Sequence, residues 1–209
     1  MIEVRGLACD TPEGRPLLEG LDLDVARGGT LLVTGASGSG KSRLLKAIAG
    51  IEAPRAGGVK VAGGGRVRMG FAFAEGGLLS NLSLAENLAL PLRFLGLSRA
   101  EAHRRAEAAL DRLDLRLVAD LRPHAVGASA RKRANLARVL ALAPDLILLD
   151  DPLEGLDAAD RATALALILG WAADPEVTLL LAAEDAAAFP GLEAPRLELR
   201  NSSLPAEAP

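Results

Sequence analysis

From Gly35 to Ser42 the chain follows the spacing G-x-x-x-x-G-K-S. Each residue type there suits one task. Gly35, Gly38 and Gly40 carry no Cβ, so a loop can wrap tightly and point successive N–H groups inward. A helix opening at Lys41 adds the positive end of its dipole to the same point. Lys41 suits the β- and γ-phosphates of a nucleotide, and the Ser42 hydroxyl suits Mg²⁺. Ser37 and Ser39 within the loop and Arg43 just beyond it complete the candidate nucleotide-binding set. Arg43 either reaches a phosphate or covers the helix. An ordinary Gly/Ser-rich turn between a strand and a helix needs none of this spacing. The apolar run Leu31 to Val33 before the loop and the apolar helical stretch after it supply the context that the motif requires.

A second stretch matches the first. Leu146-Ile147-Leu148-Leu149 is fully apolar and ends in Asp150-Asp151. It reads as a buried parallel strand whose Asp150 carboxylate emerges at the carboxyl edge of a sheet, where ligands bind. There it can take Mg²⁺, directly or through water. Asp151 stands where a general base for an attacking water is useful. The plainer reading is an acidic turn that closes a strand.

The elements that must position these residues are legible along the chain. Strands are predicted at 2–7, 21–25, 30–34, 59–62, 67–73, 146–149, 177–182 and 195–199. Thr11 to Pro16 and Gly63-Gly64-Gly65 read as turns. Helix 41–49 buries Leu44, Leu45 and Ile48 and stops at Gly50. Leu84, Leu88 and Leu92 recur at helical spacing behind a Ser83/Glu86 capping box, with Pro91 expected to kink or shorten that helix. A charged helix over 99–113 follows a second capping box, Ser98/Glu101. Helices 131–142 and 158–172 return to an α/β pattern, and 201–209 is a polar tail. The fold class is therefore α/β, and with the Gly35 to Ser42 loop it resembles a P-loop NTPase (RecA-like) core over about 1–77 and 129–200. A helical insertion at about 78–128 interrupts it within a single domain.

Composition narrows the function further. Half of the 209 residues are apolar, enough for a real core. A net charge of −3 gives no general attraction to nucleic acid. Cys9 is the only cysteine, so there is no internal disulfide and a reducing compartment suits the chain. The N-terminus lacks the basic and apolar regions of a secretion signal. No apolar run reaches the ~18 residues of a membrane span. His103 reads as a solvated helix residue and His124 as a loop residue, with no metal-ligand spacing around either.

The ordered set of motifs resembles the ATP-binding cassette (ABC) transporter ATPase family over nearly the whole chain. Gly35 to Ser42 resembles its Walker A loop and Leu146 to Asp150 its Walker B strand. ANLARVLALAPDLILLDDP, residues 134–152, is similar to the passage that leads into Walker B. Gly155-Leu156-Asp157 resembles the D-loop, and residues 82–98 the start of the helical subdomain. The likeness is nearest to bacterial lipid-trafficking and lipoprotein-release cassettes. It implies ATP and Mg²⁺ as ligands, a transmembrane permease as partner, and a second cassette in a homo- or heterodimer. It also implies a cytoplasmic location, at the inner face of the plasma membrane through the permease.

Several positions depart from the family's pattern. Ala74, with Glu75 next to it, stands where the family has the Q-loop glutamine. Val126-Gly127-Ala128-Ser129-Ala130 aligns with the signature L-S-G-G-Q, so Gly127 replaces the serine that contacts a partner's γ-phosphate. Asp151 replaces the catalytic Glu, and Glu184 replaces the switch histidine. No aromatic lies near Cys9 to Thr11 to stack on adenine. The binding half of the resemblance is intact and the hydrolysis half is altered. Two readings remain: an ATPase that drives transport with Asp151 as a weakened base, or a non-hydrolysing cassette paired with a competent one. A P-loop small-molecule kinase is a third, opposed by residues 134–157.

Overall fold

The computed structural model describes residues 1–62 and 67–200. The expected turn at Gly63-Gly64-Gly65 and the tail 201–209 both lie outside the described residues. In chain order the elements are β1 (Ile2–Asp10), β2 (Pro16–Val25), β3 (Thr30–Thr34), α1 (Lys41–Ile48), β4 (Ala56–Val61), β5 (Met69–Ala72), α2 (Leu84–Phe94), α3 (Arg99–Arg112), α4 (Ala128–Leu142), β6 (Leu146–Asp150), α5 (Ala158–Ala172), β7 (Thr178–Ala183) and β8 (Arg196–Glu198).

Two sheets form. β2-β1-β4 is antiparallel, and β5-β6-β7-β3-β8 is parallel. β1 is longer than its alternation suggests, because the pairing shifts between Val4 and Leu7, and Gly6 at φ 57 absorbs the irregularity. In the parallel sheet, alternate side chains divide between two cores. Leu31, Val33, Leu146, Leu148 and Leu180 face α1, through Leu44, Leu45 and Ile48, and the antiparallel sheet, through Ile2, Val4 and Leu7. Leu32, Ile147, Leu149, Leu179 and Leu181 face the other way. They share a cluster with α4 and α5 and with Leu84, Leu88 and Leu92 of α2 and Ala102, Ala106 and Leu110 of α3. Burial on both faces is why β6 and β7 read as unbroken apolar runs.

The helix ends show local chemistry at work. At α2 both arms of the Ser83/Glu86 capping box are made. At α3 only Ser98 caps. The Glu101 carboxylate turns instead to Arg105, 2.9 Å away, and to Arg104. α2 is not shortened at Pro91 but runs to Phe94, and the Leu95 N–H reaches the Pro91 carbonyl at 3.2 Å. α4 begins at Ala128 rather than Arg131.

The register of the parallel sheet decides where function can sit. Ala72 pairs with Leu149, Asp150 with Ala182, and Thr34 with Ala183. The carboxyl ends of β5, β6, β7 and β3 therefore lie along one edge. The segments that leave them carry Ala74, Asp150 and Asp151, Glu184, and the loop 35–40.

Candidate functional site

β3 delivers the chain into the loop at Thr34, and α1 opens at Lys41 with Gly40 (φ 100) as its N-cap. Gly35, at φ 155, has no room for a side chain. A Cβ there would lie 2.4 Å from the Leu199 carbonyl oxygen and 2.6 Å from Ser39 Oγ. Ser37 and Gly38 are exposed, whereas Ser39 is buried and its Oγ has no hydrogen-bond partner among the described residues. A buried hydroxyl without a partner is rare, and here it sits inside the glycine cradle. Lys41 is only 5% exposed. A buried ammonium needs acceptors, and Nζ donates to the Gly35 carbonyl at 2.8 Å and the Ala36 carbonyl at 3.1 Å.

β6 brings Asp150 to the same point, 2% exposed, and Ser42 Oγ donates to its Oδ1 at 3.0 Å. Burial pushes the Asp150 carboxyl up, against the Ser42 hydrogen bond and the charges of Lys41, Lys46 and Lys132. Burial also pushes Asp151 up. Lys41 opposes that shift, while Asp150 and Glu154 add to it. Two adjacent carboxylates with raised pKa values fit a place where a cation belongs, because a bound metal ion reverses the local charge logic. The donors are hard oxygens, from one hydroxyl and one carboxylate, the set that suits Mg²⁺ shared with substrate phosphates. The cradle without Cβ atoms, the orphaned Ser39 hydroxyl and this donor pair all fit a Mg·nucleotide.

Asp151 adopts φ 43, a left-handed conformation that is of the order of 1–3 kcal/mol unfavourable for a residue other than Gly. Its N–H continues the sheet ladder to the Ala182 carbonyl at 3.0 Å. Its side chain opens into a cleft of about 390 Å³ lined also by Glu154, Arg161, Glu184 and Asp185. The structure thus brings Asp151 and Glu184 to one cleft. Ala74 is half-buried and Glu75 exposed just beyond β5. Arg43 turns to Glu52, Nη1 to Oε2 2.6 Å, and Lys46 joins them at 3.1 Å.

Gly127 is the N-cap of α4 and offers no side-chain cap, so its first turn presents backbone N–H groups alone. Ala128 follows, exposed. The Ser129 hydroxyl donates into its own chain, to Asp160 of α5, and Arg133 Nε lies 3.2 Å from the same carboxylate.

Sequence reasoning missed a polar seam on α4. Lys132 Nζ donates to the Ala74 carbonyl at 2.7 Å and to the Asp151 carbonyl at 2.9 Å. Asn135 Nδ2 donates to the Gly76 carbonyl at 2.8 Å, and Arg138 reaches the Phe71 carbonyl at 3.2 Å and the Gly77 carbonyl. Burial pushes the Lys132 ammonium down, against the attraction of Glu154, Asp151, Asp150 and Glu75. The spacing i, i+3, i+6 puts these side chains on one helix face. Three polar residues at that spacing on a helix whose other faces pack were the available signal.

The sequence profile described as ABC transporter matches residues 18–154. The chain belongs to the ABC transporter family. Among curated proteins, this cassette is 33% identical over 196 residues to the lipoprotein-releasing system ATP-binding protein LolD of Chromohalobacter salexigens. That alignment covers 88% of this chain and 81% of the relative. It is 38% identical over 159 residues to the taurine import ATP-binding protein TauB of Pseudomonas aeruginosa, covering 74% of this chain and 60% of TauB. Its fold superposes on the ATP-binding cassette MJ0796, solved as a dimer in a post-hydrolysis state with ADP and Pi, at a TM-score of 0.86. That match covers 97% of both chains at 24% identity. Among the described residues of this cassette, no helix is long and apolar enough to cross a membrane.

Proposed function

We propose that this ABC cassette is the ATP-binding subunit of a bacterial transporter that binds Mg·ATP and hydrolyses it slowly. The observation that carries the reading is the contrast within one site. Ser42 and Asp150 are hydrogen-bonded beside Lys41 and are read as the phosphate and metal grip, while Ala74, Asp151 and Glu184, at the same sheet edge, are read as the positions that organise turnover. Gly35 to Ser42 take the phosphates, with Lys41 exchanging loop carbonyls for phosphate oxygens. Ser42 and Asp150 would hold Mg²⁺, which would supply charge neutralisation at those oxygens. Asp151 is the base for the attacking water, one methylene shorter than Glu. Glu184 places negative charge in the same cleft, where a donor would stabilise the γ-phosphate.

The cassette is read as one domain, with α2, α3 and the chain up to about residue 128 inserted into the P-loop core. It sits at the inner face of the plasma membrane through a permease. An apolar groove supports that partner: Phe71, Phe73, Leu79 and Leu90 line it, and Phe94 beside them is 81% exposed. A second cassette completes the site, with residues 126–130 of one chain opposite the loop 35–42 of the other.

A second reading, a non-hydrolysing cassette beside a competent one, is favoured by Ser129. Its hydroxyl is engaged by Asp160, so α4 offers a partner's nucleotide no side-chain hydroxyl from Gly127 or Ser129.

The test compares binding with turnover on the purified chain. Calorimetry is expected to show Mg·ATP binding, and phosphate release to run at least ~10²-fold below an intact cassette under the same conditions. Asp151→Glu with Ala74→Gln and Glu184→His recovers more turnover than Asp151→Glu alone. Robust turnover by the unaltered chain, abolished by Asp151→Asn, would overturn slow hydrolysis and leave an ordinary ATPase with an aspartate base.

A further inference from the structure

Like Lys41, Lys132 donates to two backbone carbonyls, but its acceptors lie on two segments far apart in sequence. It lies at the start of α4, five residues beyond the Gly127 N-cap, yet its ammonium points inward rather than to water. It makes two hydrogen bonds, both to backbone carbonyls and both to segments that leave the functional edge of the sheet. Ala74 follows β5, and Asp151 follows β6. These segments are remote in sequence from each other, and the sheet alone does not tie them together beyond the last ladder pair, Ala72 with Leu149. Past that pair, the Lys132 ammonium joins them.

The charges around it point the same way. The carboxylates that act on the Lys132 ammonium are Glu154, Asp151, Asp150 and Glu75. The cation therefore stands beside the carboxylates of the site, on which Lys41 acts as well. Asp151 meanwhile holds a left-handed backbone that must be imposed from outside. Its N–H is fixed by Ala182 and its carbonyl by Lys132 and the turn N–H of Glu154. Asn135 and Arg138, one and two turns further along α4, hold Gly76, Gly77 and Phe71. Without Lys132 the seam still grips the segment after β5, but it no longer reaches β6.

We propose that Lys132 is a positioning residue of the nucleotide site, a cationic strut from α4 that sets the Asp151 carboxylate relative to the Ala74 segment. Ala74 has no polar side chain with which to reach across to the site, and Lys132 makes the cross-link from the other partner, through the Ala74 backbone. The same strut couples the N-terminus of α4 to the end of β6, so a shift of α4 moves the Asp151 backbone with it. This inference rests on the nucleotide-site reading for its consequence in turnover, but the strut itself is a property of the chain without ligand.

The experiment uses the full chain, with Lys132→Met to remove the ammonium and keep the stem, and Lys132→Arg as the conservative replacement. Hydrogen exchange is read by peptide for segments 74–77 and 151–154, with 31–33 as an internal reference. In Lys132→Met, exchange in both segments quickens at least ~10-fold while 31–33 is unchanged, and Lys132→Arg restores most of the protection. Mg·ATP affinity stays within about threefold of the unaltered chain, because Lys41, Ser42 and Asp150 are untouched. Phosphate release falls by ~10-fold or more in kcat at constant KM, as a misplaced base predicts. Unchanged exchange in both segments overturns the proposal, as does quickening spread equally over 31–33, which would mark a merely structural role. If turnover of the unaltered chain is below detection, the exchange pattern and its rescue by Arg decide alone. Failure of the unaltered chain to bind Mg·ATP would sink the proposed function instead, and leaves the exchange result to judge the strut.

Discussion

Replacing Lys41 by Met removes the ammonium and keeps most of the apolar stem. In this cassette the side chain is 5% exposed, and its two hydrogen bonds go to the carbonyls of Gly35 and Ala36 at 2.8 and 3.1 Å. Those carbonyls belong to a loop whose middle, Ser37 and Gly38, is exposed, so water can replace the ammonium there. The loss of two charge-assisted bonds is also offset by relief of the ammonium's own desolvation. The net effect on stability is of the order of 1 kcal/mol, or about 2–4 °C in Tm for a chain of this size. Nucleotide affinity behaves differently. Removing one partner of a buried, hydrogen-bonded charge pair costs about 2–5 kcal/mol. That corresponds to a rise in Kd of roughly 30-fold to several thousandfold. Isothermal titration with Mg·ATP measures the Kd, and a thermal melt shows whether the fold is intact. A Lys41→Met chain that melts normally and binds Mg·ATP within about threefold of the unaltered chain would falsify the assignment of the loop as the phosphate site.

Gly35→Ala tests the cradle rather than the charge. The new Cβ would meet the Leu199 carbonyl oxygen at 2.4 Å and Ser39 Oγ at 2.6 Å. Overpacking of that kind destabilises by about 1–3 kcal/mol, a drop in Tm of roughly 2 to 12 °C, and unchanged melting would show the loop to be more open than described. Asp145 at the start of β6 tests pH dependence. Hydrogen bonds from the Arg68 guanidinium and from the Arg68 N–H, the latter at 2.9 Å, hold its carboxyl below the usual carboxylate range. A depressed folded pKa contributes stability that is present above the unfolded value and lost as the pH falls through the folded one. The stability difference between the unaltered chain and Asp145→Asn is therefore largest near neutral pH. It shrinks as the pH drops from about 5 through the carboxylate range. Urea titrations across that range that keep a constant difference would contradict the Arg68 linkage.

Much of this site was legible in the sequence because its parts are local. The phosphate loop needs glycines, a lysine and a serine at fixed offsets between a strand and a helix, and all lie within Leu31 to Ile48. Asp150 announces itself by ending a run that is apolar on both faces. The Ser83/Glu86 box was equally readable, since both arms close within one turn. The Ser98/Glu101 box shows the limit of the same rule: Arg104 and Arg105 compete for the Glu101 carboxylate, and the sequence does not say which contact wins.

The sequence by itself determined the family, the loop motif from Gly35 to Ser42 and the residues that stand at positions 74, 127, 151 and 184. Only the tertiary structure decided how those positions are held. A lysine on a helix reads as solvated, because a long cationic side chain can reach water from most helix faces. The packing of α4 against β5 half-buries Lys132 and leaves it two carbonyls as acceptors, at sequence separations of 58 and 19 residues. The same packing turns Ser129 toward Asp160, 31 residues away, and away from any role at the helix N-terminus. Hydrogen bonds over such separations leave no local pattern to read. They arise because a buried polar group must find a partner, and which partner is within reach is settled by how the helices and the sheet pack.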